Sequence, residues 1–513
     1  VMTELRKRTR IDTRALATFR IALGLLLLAD LVSRARNLTA FYTDSGVYPR
    51  EAFISNTNPL FLSLHIISGE AWFQALLFLV AGVFAVALTI GYRTRIATVA
   101  SWILLVSLHN RMLGVLNGGD VLLRLLLFWA MFLPLGARWS VDSQHSESQR
   151  THVWSVAGFA LLLQVVIVYT SNAAYKFTGT LWEEGVAMEY VFSLGQFTFL
   201  LGDYLGSYPA LLRILNYVWV FLVSTSLLLI VFTGIRRTLF VSLFMTMRIG
   251  LFPLISVAAL IPFLPPIFWD TVIERLSGYR RVKALGELPA KLGAVLPVVT
   301  VSDTPPFLIR AKRWFMTVIP LVFLILVVLW NIQVLGYTEL HDYDVFPEEA
   351  EPVIDITRTA QSWGMFAPNP LSVDGWIVAP GLLENGTRVD AFHGGSVDWD
   401  RPPDITSAYP TARWRKYLVA LWRYDSPHRR YFADYLCRRW NGQHQTKLLN
   451  VTVYYMEQPT RINNETEPIN RVVLEEHQCV SLAAYSSESD LSVSECSTNS
   501  SNLMGNRTDQ VSC

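Results

Sequence analysis

Charge is scarce in this chain, lysine scarcer still, and cysteine is missing from its first 436 residues. Only 16% of the 513 residues are charged and 52% are hydrophobic, with a mean hydropathy of +0.34. A water-soluble domain carries about 25% charge, so a wholly water-facing protein is excluded. Lysine occurs 7 times against 36 arginines. The four cysteines, Cys437, Cys479, Cys496 and Cys513, all fall in the C-terminal part, and none has the CxxC spacing of a zinc site. Disulfides in an oxidising compartment are the better use for them. A cleavable secretory signal is not visible: the first apolar run, Leu16–Leu31, follows a basic stretch ending at Arg10 and reads as a retained helix. The chain shows no internal repeat, which counts against a transporter built from two helical halves.

The charge that is present is divided. Residues 1–337 hold 28 Lys and Arg against 17 Asp and Glu, whereas residues 338–513 hold 15 against 24. A basic part followed by an acidic part points to two compartments and away from nucleic acid as a partner. About 20 apolar residues span a bilayer core as helix. Runs at 15–33, 71–91, 94–113, 119–136, 153–175, 210–233 and 313–336 meet that need. An eighth run, 238–265, is interrupted by Arg248, Gly250 and Pro253 and closed by Pro262, Pro265 and Pro266. The expected fold is a polytopic α-helical membrane protein of about eight helices, with the bilayer as its first partner.

Basic loops favour the cytoplasmic side. The N-terminus, Tyr92–Arg95, 137–152, Arg236-Arg237 and 266–313 are such loops. They fall on one side only if 238–265 enters and returns, a re-entrant element that the interrupting Gly and Pro permit. A single crossing remains the alternative. The re-entrant reading makes the N-terminus cytoplasmic in a plasma membrane or its equivalent. It puts the sequons at Asn37, Asn385, Asn450, Asn464, Asn499 and Asn506 outside. Beyond 1–337, residues 338–485 predict a mixed α/β extracytoplasmic domain. Strands are expected around Trp376–Val378 and Val451–Tyr455, and helices at Trp414–Trp422 and His428–Trp440. Residues 486–513, rich in Ser and Asn, predict a flexible tail.

Lys176 is the one lysine between Lys7 and Lys283. It ends an apolar span and shares a helical face with Tyr169 and Asn172. An ionisable group at membrane depth is a functional candidate, and a desolvated amine makes a usable general base. The plainer alternative is a lysine snorkelling to the interface. His109 and Asn110 end the third span on the same side, where a lone histidine is often only a structural hydrogen-bonding group. Arg20 lies inside the first span, and Asp30 with Arg34 forms an i,i+4 pair. Arg248 should turn inward, to an acidic neighbour or a polar cavity. His341, Asp342 and Asp344 lack a specific metal spacing, and no metal is predicted. Asn117-Gly-Gly-Asp120 is a turn at a helix start, not a phosphate loop.

These residues bring the sequence close to a known family. Phe19-Arg20, Gly24 and Asp30 resemble the first-helix pattern F-R-x3-G-x5-D of the vitamin K-dependent gamma-carboxylases and their microbial HTTM-domain relatives. Tyr92-Arg93 resembles the family's inner-loop Y-R, and His109 its histidine after the third helix. Trp139-Ser-Val-Asp142 resembles its W-S-[LV]-D. Ile167-Val-Tyr169 followed by Lys176 resembles the segment ending in the catalytic lysine. Trp182, Glu184-Gly185 and Met188-Glu189-Tyr190 resemble the W-x-E-G-x2-M-E-Y that comes next. The chain departs from the family by one inserted residue between Lys176 and Trp182 and by Tyr175 where animal enzymes carry a second lysine. It has no counterpart of their histidine near Met245–Arg248.

The resemblance implies a carboxylation of glutamate side chains that depends on a reduced quinone, of vitamin K or menaquinone type, and on oxygen. It makes Lys176 the base that acts on the quinol, with a protein or peptide substrate on the outer face. His109 joins Lys176 as a candidate catalytic residue. Trp182, Glu184, Glu189, Tyr190, Arg248, Arg20 and Asn172 are candidates to line the cavity. The competing reading is a non-catalytic membrane module whose outer domain binds a partner, with Lys176 and Arg20 as structural charges.

Overall fold

The computed structural model describes residues 2–145, 150–195, 201–249, 254–297, 305–336, 345–424, 427–460, 462 and 467–479. The helices of the N-terminal bundle are α1 (Thr13–Ala35), α2 (Ala71–Ile90), α3 (Thr94–Arg111), α4 (Gly118–Ala130), α5 (Val156–Phe177), α6 (Pro209–Ser224), α7 (Gly234–Ile249), α8 (Leu254–Leu260), α9 (Pro266–Leu276), α10 (Arg280–Val295) and α11 (Pro306–Gly336). Among the described residues, four helical stretches are long and apolar enough to cross a membrane: Thr13–Ala35, Ala71–Ile90, Val156–Phe177 and Arg310–Gly336. The bent pair Leu254–Phe263 and Pro266–Leu276 makes a fifth if counted as one span. These mark an integral membrane protein. The expected count of eight is not matched by length and composition. The runs at 94–113, 119–136 and 210–233 form helices of 18, 13 and 16 residues that carry charges or stop short.

Close packing in the bundle follows from small residues. A Cβ on Gly24 of α1 would stand 2.1 Å from Thr89 Oγ1 and 2.9 Å from Ala85 O, so glycine lets α1 and α2 touch. Gly91 ends α2 in the left-handed region, at φ +73°, and its N–H returns to Ala87 and Leu88 carbonyls. Asp142 then caps α3, accepting hydrogen bonds from the Arg93 and Thr94 amides and from Thr94 Oγ1. Arg20 lies beneath this turn and donates to Trp139 O at 2.6 Å. The motif-like residues Arg20, Tyr92-Arg93 and Trp139–Asp142 thus build one structural knot at the end of the bundle where α1 begins.

The segment 234–266 starts and finishes at that same end. At the start of α7, Arg237 donates to Arg8 O and Ile230 O. At the start of α9, Asp270 pairs with Arg14 at 2.6 Å. Between them α8 packs on α1 and α4, and α7 packs on α8. Among the described residues the helix of 254–260 gives way to a short 3-10 turn at Ile261–Phe263, and 264–265 are not helical, so the helix does not run unbroken to 265. The expected break at 250–253 lies outside the described residues. So does the side chain of Arg248, which stands in the last turn of α7.

The C-terminal part carries the expected strands and helices. Strands β1 (Val373–Val378), β2 (Pro380–Leu383), β3 (Arg388–Asp390), β4 (Leu448–Pro459) and β5 (Asn470–Gln478) form one antiparallel sheet. The long β4 pairs with β1 and β2 on one edge and with β5 on the other. Helices α12 (Ala412–Arg423) and α13 (His428–Gln443) complete the unit, and Cys437–Cys479 ties α13 to the residue after β5. Cys496, Cys513, Asn464, Asn499, Asn506, His341, Asp342, Asp344 and the tail lie outside the described residues. Asn385 sits exposed in the β2–β3 turn. Asn450 is half-buried within β4, and the half-buried Asn37 donates to Thr411 Oγ1.

The expected boundary at residue 337 does not divide the cores. Phe41, Tyr48, Phe53 and Met112, all from the N-terminal part, share a core with Trp414, Tyr417 and Phe432. Trp363, from the C-terminal part, belongs to the bundle core.

Within the C-terminal unit His393 lies between two acceptors, with Nδ1 3.1 Å from Asp390 Oδ2 and Nε2 3.0 Å from Ala408 O. Only the doubly protonated ring satisfies both. Burial alone would lower the imidazole and raise the carboxyl. Their mutual hydrogen bond reverses both, holding His393 above its ordinary 6.5 and Asp390 below its ordinary 3.8. The stability from His393 is therefore full below its unfolded pKa and is lost as pH rises through the raised folded value. That from Asp390 is present above its unfolded pKa and is lost as pH falls through the lowered folded value. The His393 side chain is 36% exposed, so the effect stays below about 1 kcal/mol. Thermal unfolding followed from about pH 6 to about pH 8.5 should show a declining midpoint that His393→Gln flattens. Equal slopes in the two proteins would contradict the pair.

Candidate functional site

The site lies where the far end of the bundle meets the C-terminal unit, and it has two halves. The first surrounds Lys176 at the end of α5. Ser155 caps that helix at its start, and its apolar face is buried against α4, α6 and α11. Lys176 is 2% exposed. Its Nζ donates to Met365 O at 3.3 Å and Phe366 O at 3.4 Å, and it sits 3.3 Å from the centroid of the Trp182 ring. Carbonyl oxygens and an aromatic face are what an ammonium group seeks out of water. Trp182 Nε1 donates to the same Phe366 carbonyl at 2.8 Å, and Asn216 holds the Trp182 backbone. Asn172, one turn before Lys176, donates to Trp363 O at 2.7 Å and to Met365 O at 3.1 Å.

Residues 361–366 thus thread from the C-terminal unit into the bundle. Gln361 exchanges hydrogen bonds with Gln164 of α5 and accepts one from Trp363 Nε1, while Trp330 of α11 donates to its carbonyl. Glycines make room for the segment. A Cβ at Gly118 would meet Met365 Sδ at 2.9 Å, and one at Gly179 would overlap the Pro368 carbonyl. Nothing in the sequence patterning of 361–369 announces this insertion. Its polar Gln between apolar neighbours reads equally well as a surface loop.

The second half is an ion cluster. Asp120 opens α4 in a capping box with Asn117. It accepts from Arg34 at 2.7 Å and from both Nη atoms of Arg413. Asp30 accepts from Arg34 and Arg413, each at 2.7 Å. His109 is fully buried, with Nε2 3.2 Å from Arg34 Nη2 and Nδ1 3.2 Å from Arg124 Nη1. A neutral imidazole has one lone pair to offer, so it accepts from one of the two. Arg124 also donates to Arg358 O. Asp30, His109 and Asp120 bring candidate ligand atoms within 4.8 Å of one another. Both carboxylates are already engaged by guanidinium groups, and a divalent cation there would face Arg34, Arg124 and Arg413.

The candidate catalytic residues Lys176 and His109 take different partners, Met365 and Phe366 carbonyls for Lys176 and Arg34 and Arg124 for His109. The 358–366 segment touches both, bonded to Arg124 through Arg358 O and to Lys176 through Met365 O. Arg20 does not line the site at all. It lies at the opposite end of the bundle, because its partner Trp139 is there. Trp182 and Asn172 do border Lys176, as described. Glu189 is buried 3.8 Å from Arg213, Tyr190 is half-buried and Glu184 is exposed. A small cavity of about 20 Å3 does open nearby, between α1, α2 and α3, lined by Leu27, Asp30, Phe78, Ser101 and Leu105 among others. It touches the ion cluster at Asp30, not Lys176.

Sequence reading missed Arg124, Arg358 and Arg413. Arg124 had a signal, an arginine in the middle of the apolar run Val121–Trp129. The other two are long-range partners that spacing does not reveal.

In comparisons with known proteins, no curated protein and no solved structure matches the chain. The HTTM domain family model matches residues 8–269, just over half of the chain, from before α1 into α9. That match takes in Arg20, His109, Asp120, Arg124, Lys176 and Trp182, so the chain belongs to the HTTM domain family.

Proposed function

We propose that the protein is a membrane enzyme of the gamma-carboxylase type, adding carboxyl groups to glutamate side chains with Lys176 as its base. The observation that carries this reading is a lone lysine, 2% exposed, set beside Trp182 at the junction of the two units in an HTTM chain. An ionisable side chain at membrane depth is a functional candidate by its position. Family membership supports a reduced quinone of vitamin K or menaquinone type as cofactor. The residues present do not fit a quinone ring against Lys176, however. Met365, Phe366 and Trp182 close around Nζ, and the described apolar cavity stands against Asp30. On this reading the 363–366 segment must withdraw before Lys176 meets a substrate.

The carbonyl cage favours a second reading, in which Lys176 is a structural clasp and the C-terminal unit binds a partner. Membrane preparations of the full-length protein, given reduced quinone, oxygen and labelled bicarbonate, separate the two. The enzymatic reading expects label in the glutamates of co-purified proteins, lost at least tenfold in both Lys176→Ala and Lys176→Arg, with Lys176→Arg keeping its thermal midpoint. A wild type without label, together with a Lys176→Ala protein whose midpoint falls, would leave the clasp.

We further propose seven crossings with segment 234–266 re-entrant, the N-terminus cytoplasmic and the C-terminal unit outside. The shared end of Arg237 and Asp270 supports this, as do the basic loops at that end and the Cys437–Cys479 disulfide at the other. A protease added to intact cells should cleave beyond residue 337 and spare 266–305. Cleavage confined to 266–305 would reverse the orientation.

A further inference from the structure

Helices α9 and α10 are held at the end of the bundle where α1 begins. The direction of the chain turns by 109° between Leu254–Phe263 and Pro266–Leu276. Leu254–Phe263 packs on α1, and α9 is pinned to the bundle end by the Arg14–Asp270 pair. Helix α10 follows and packs on the Asp142–His145 turn. Tyr92 Oη, donating to Pro297 O at 2.9 Å, tethers its far end. On α10, Val282, Leu285, Leu288, Leu292 and Val295 recur every three or four residues, which gathers them in one stripe. Arg280, Arg281, Lys283 and Lys291 flank it, against the single acid Glu287.

Within the stripe Leu288 is 43% and Val295 81% exposed, and Leu292 is half-buried. Ile267, Ile273 and Leu276 of α9 are exposed as well. Arg310, Lys312 and Arg313, all exposed, precede the apolar span of α11, and Trp314 is 64% exposed at its edge. Arginine, lysine and tryptophan at the foot of a span mark a membrane–water interface.

We propose that α9 and α10 form an in-plane membrane anchor that binds anionic lipid headgroups. The apolar stripe lies at the acyl boundary, and Arg280, Arg281 and Lys291 contact the headgroups. A basic amphipathic helix held at the level of the headgroups is matched in shape by the lipid surface and in charge by anionic lipid. The assignment does not depend on what Lys176 does.

Hydrogen exchange of the full-length protein in nanodiscs tests it, with phosphatidylcholine alone or mixed with phosphatidylglycerol as the lipid. Each basic residue near an anionic surface contributes about fivefold in binding. Amides of 280–295 should therefore exchange at least fivefold more slowly with phosphatidylglycerol present. The charge reversals Arg280→Glu, Arg281→Glu and Lys291→Glu together should abolish that difference, while exchange in α5 stays unchanged as a sign of intact folding. Leu288→Asn should speed exchange of α10 in both lipids. Equal exchange of α10 in the two lipids would overturn the proposal. So would protection that survives the triple reversal, which would mean that protein, not lipid, covers the helix.

Discussion

Two carboxylates and two arginines, largely shielded from water, hold this molecule together. Asp30 and Arg34 come from α1, Asp120 from α4 and Arg413 from α12, nearly 300 residues further along the chain. Burying four charges costs several kcal/mol per ion, recovered only when every partner is in place. Here each carboxylate accepts from both guanidinium groups. The cluster is therefore less a source of net stability than a test of register: α1, α4 and α12 must all arrive, in one arrangement, or a charge is left unpaired.

The rest of the site hangs from that register. His109 fills the space between Arg34 and Arg124, and Arg124 reaches the carbonyl of Arg358. From Arg358 the chain runs directly into Gln361, Trp363 and the carbonyls that hold Asn172 and Lys176. The ion cluster and the lysine cage are thus two attachments of the same short segment. A shift of the C-terminal unit relative to the bundle would act on both.

What the sequence disclosed and what it hid follow from the range of each interaction. Periodicity and apolar length located the spans at 15–33, 71–91, 153–175 and 313–336, because those signals are local. Asp30 with Arg34 was legible as an i,i+4 pair, and Trp182 was set beside Lys176 only through the family resemblance. The pairing of Cys437 with Cys479 among four cysteines was not, and neither was the partnership of Asp120 with Arg413, because both depend on the packed fold. Arg20 shows how a residue can be flagged rightly and placed wrongly. A buried arginine in a span is unusual, yet its role is to hold the Gly91 turn against Trp139, far from Lys176. The 361–366 insertion carried no local signature at all, and it decides what Lys176 can touch.

The claim that the ion cluster locks the C-terminal unit onto the bundle and so holds the lysine cage closed has a direct measurement. It is a double-mutant cycle of Asp120→Asn and Arg413→Gln on the full-length protein, reading thermal stability together with hydrogen exchange across 361–366. Breaking one side of a buried pair costs about 3–5 kcal/mol. Each single change should therefore destabilise by that order and speed exchange at 361–366, and the double change should cost clearly less than the sum of the two. Single changes within about 0.5 kcal/mol of wild type, with exchange at 361–366 unaltered, would contradict the account.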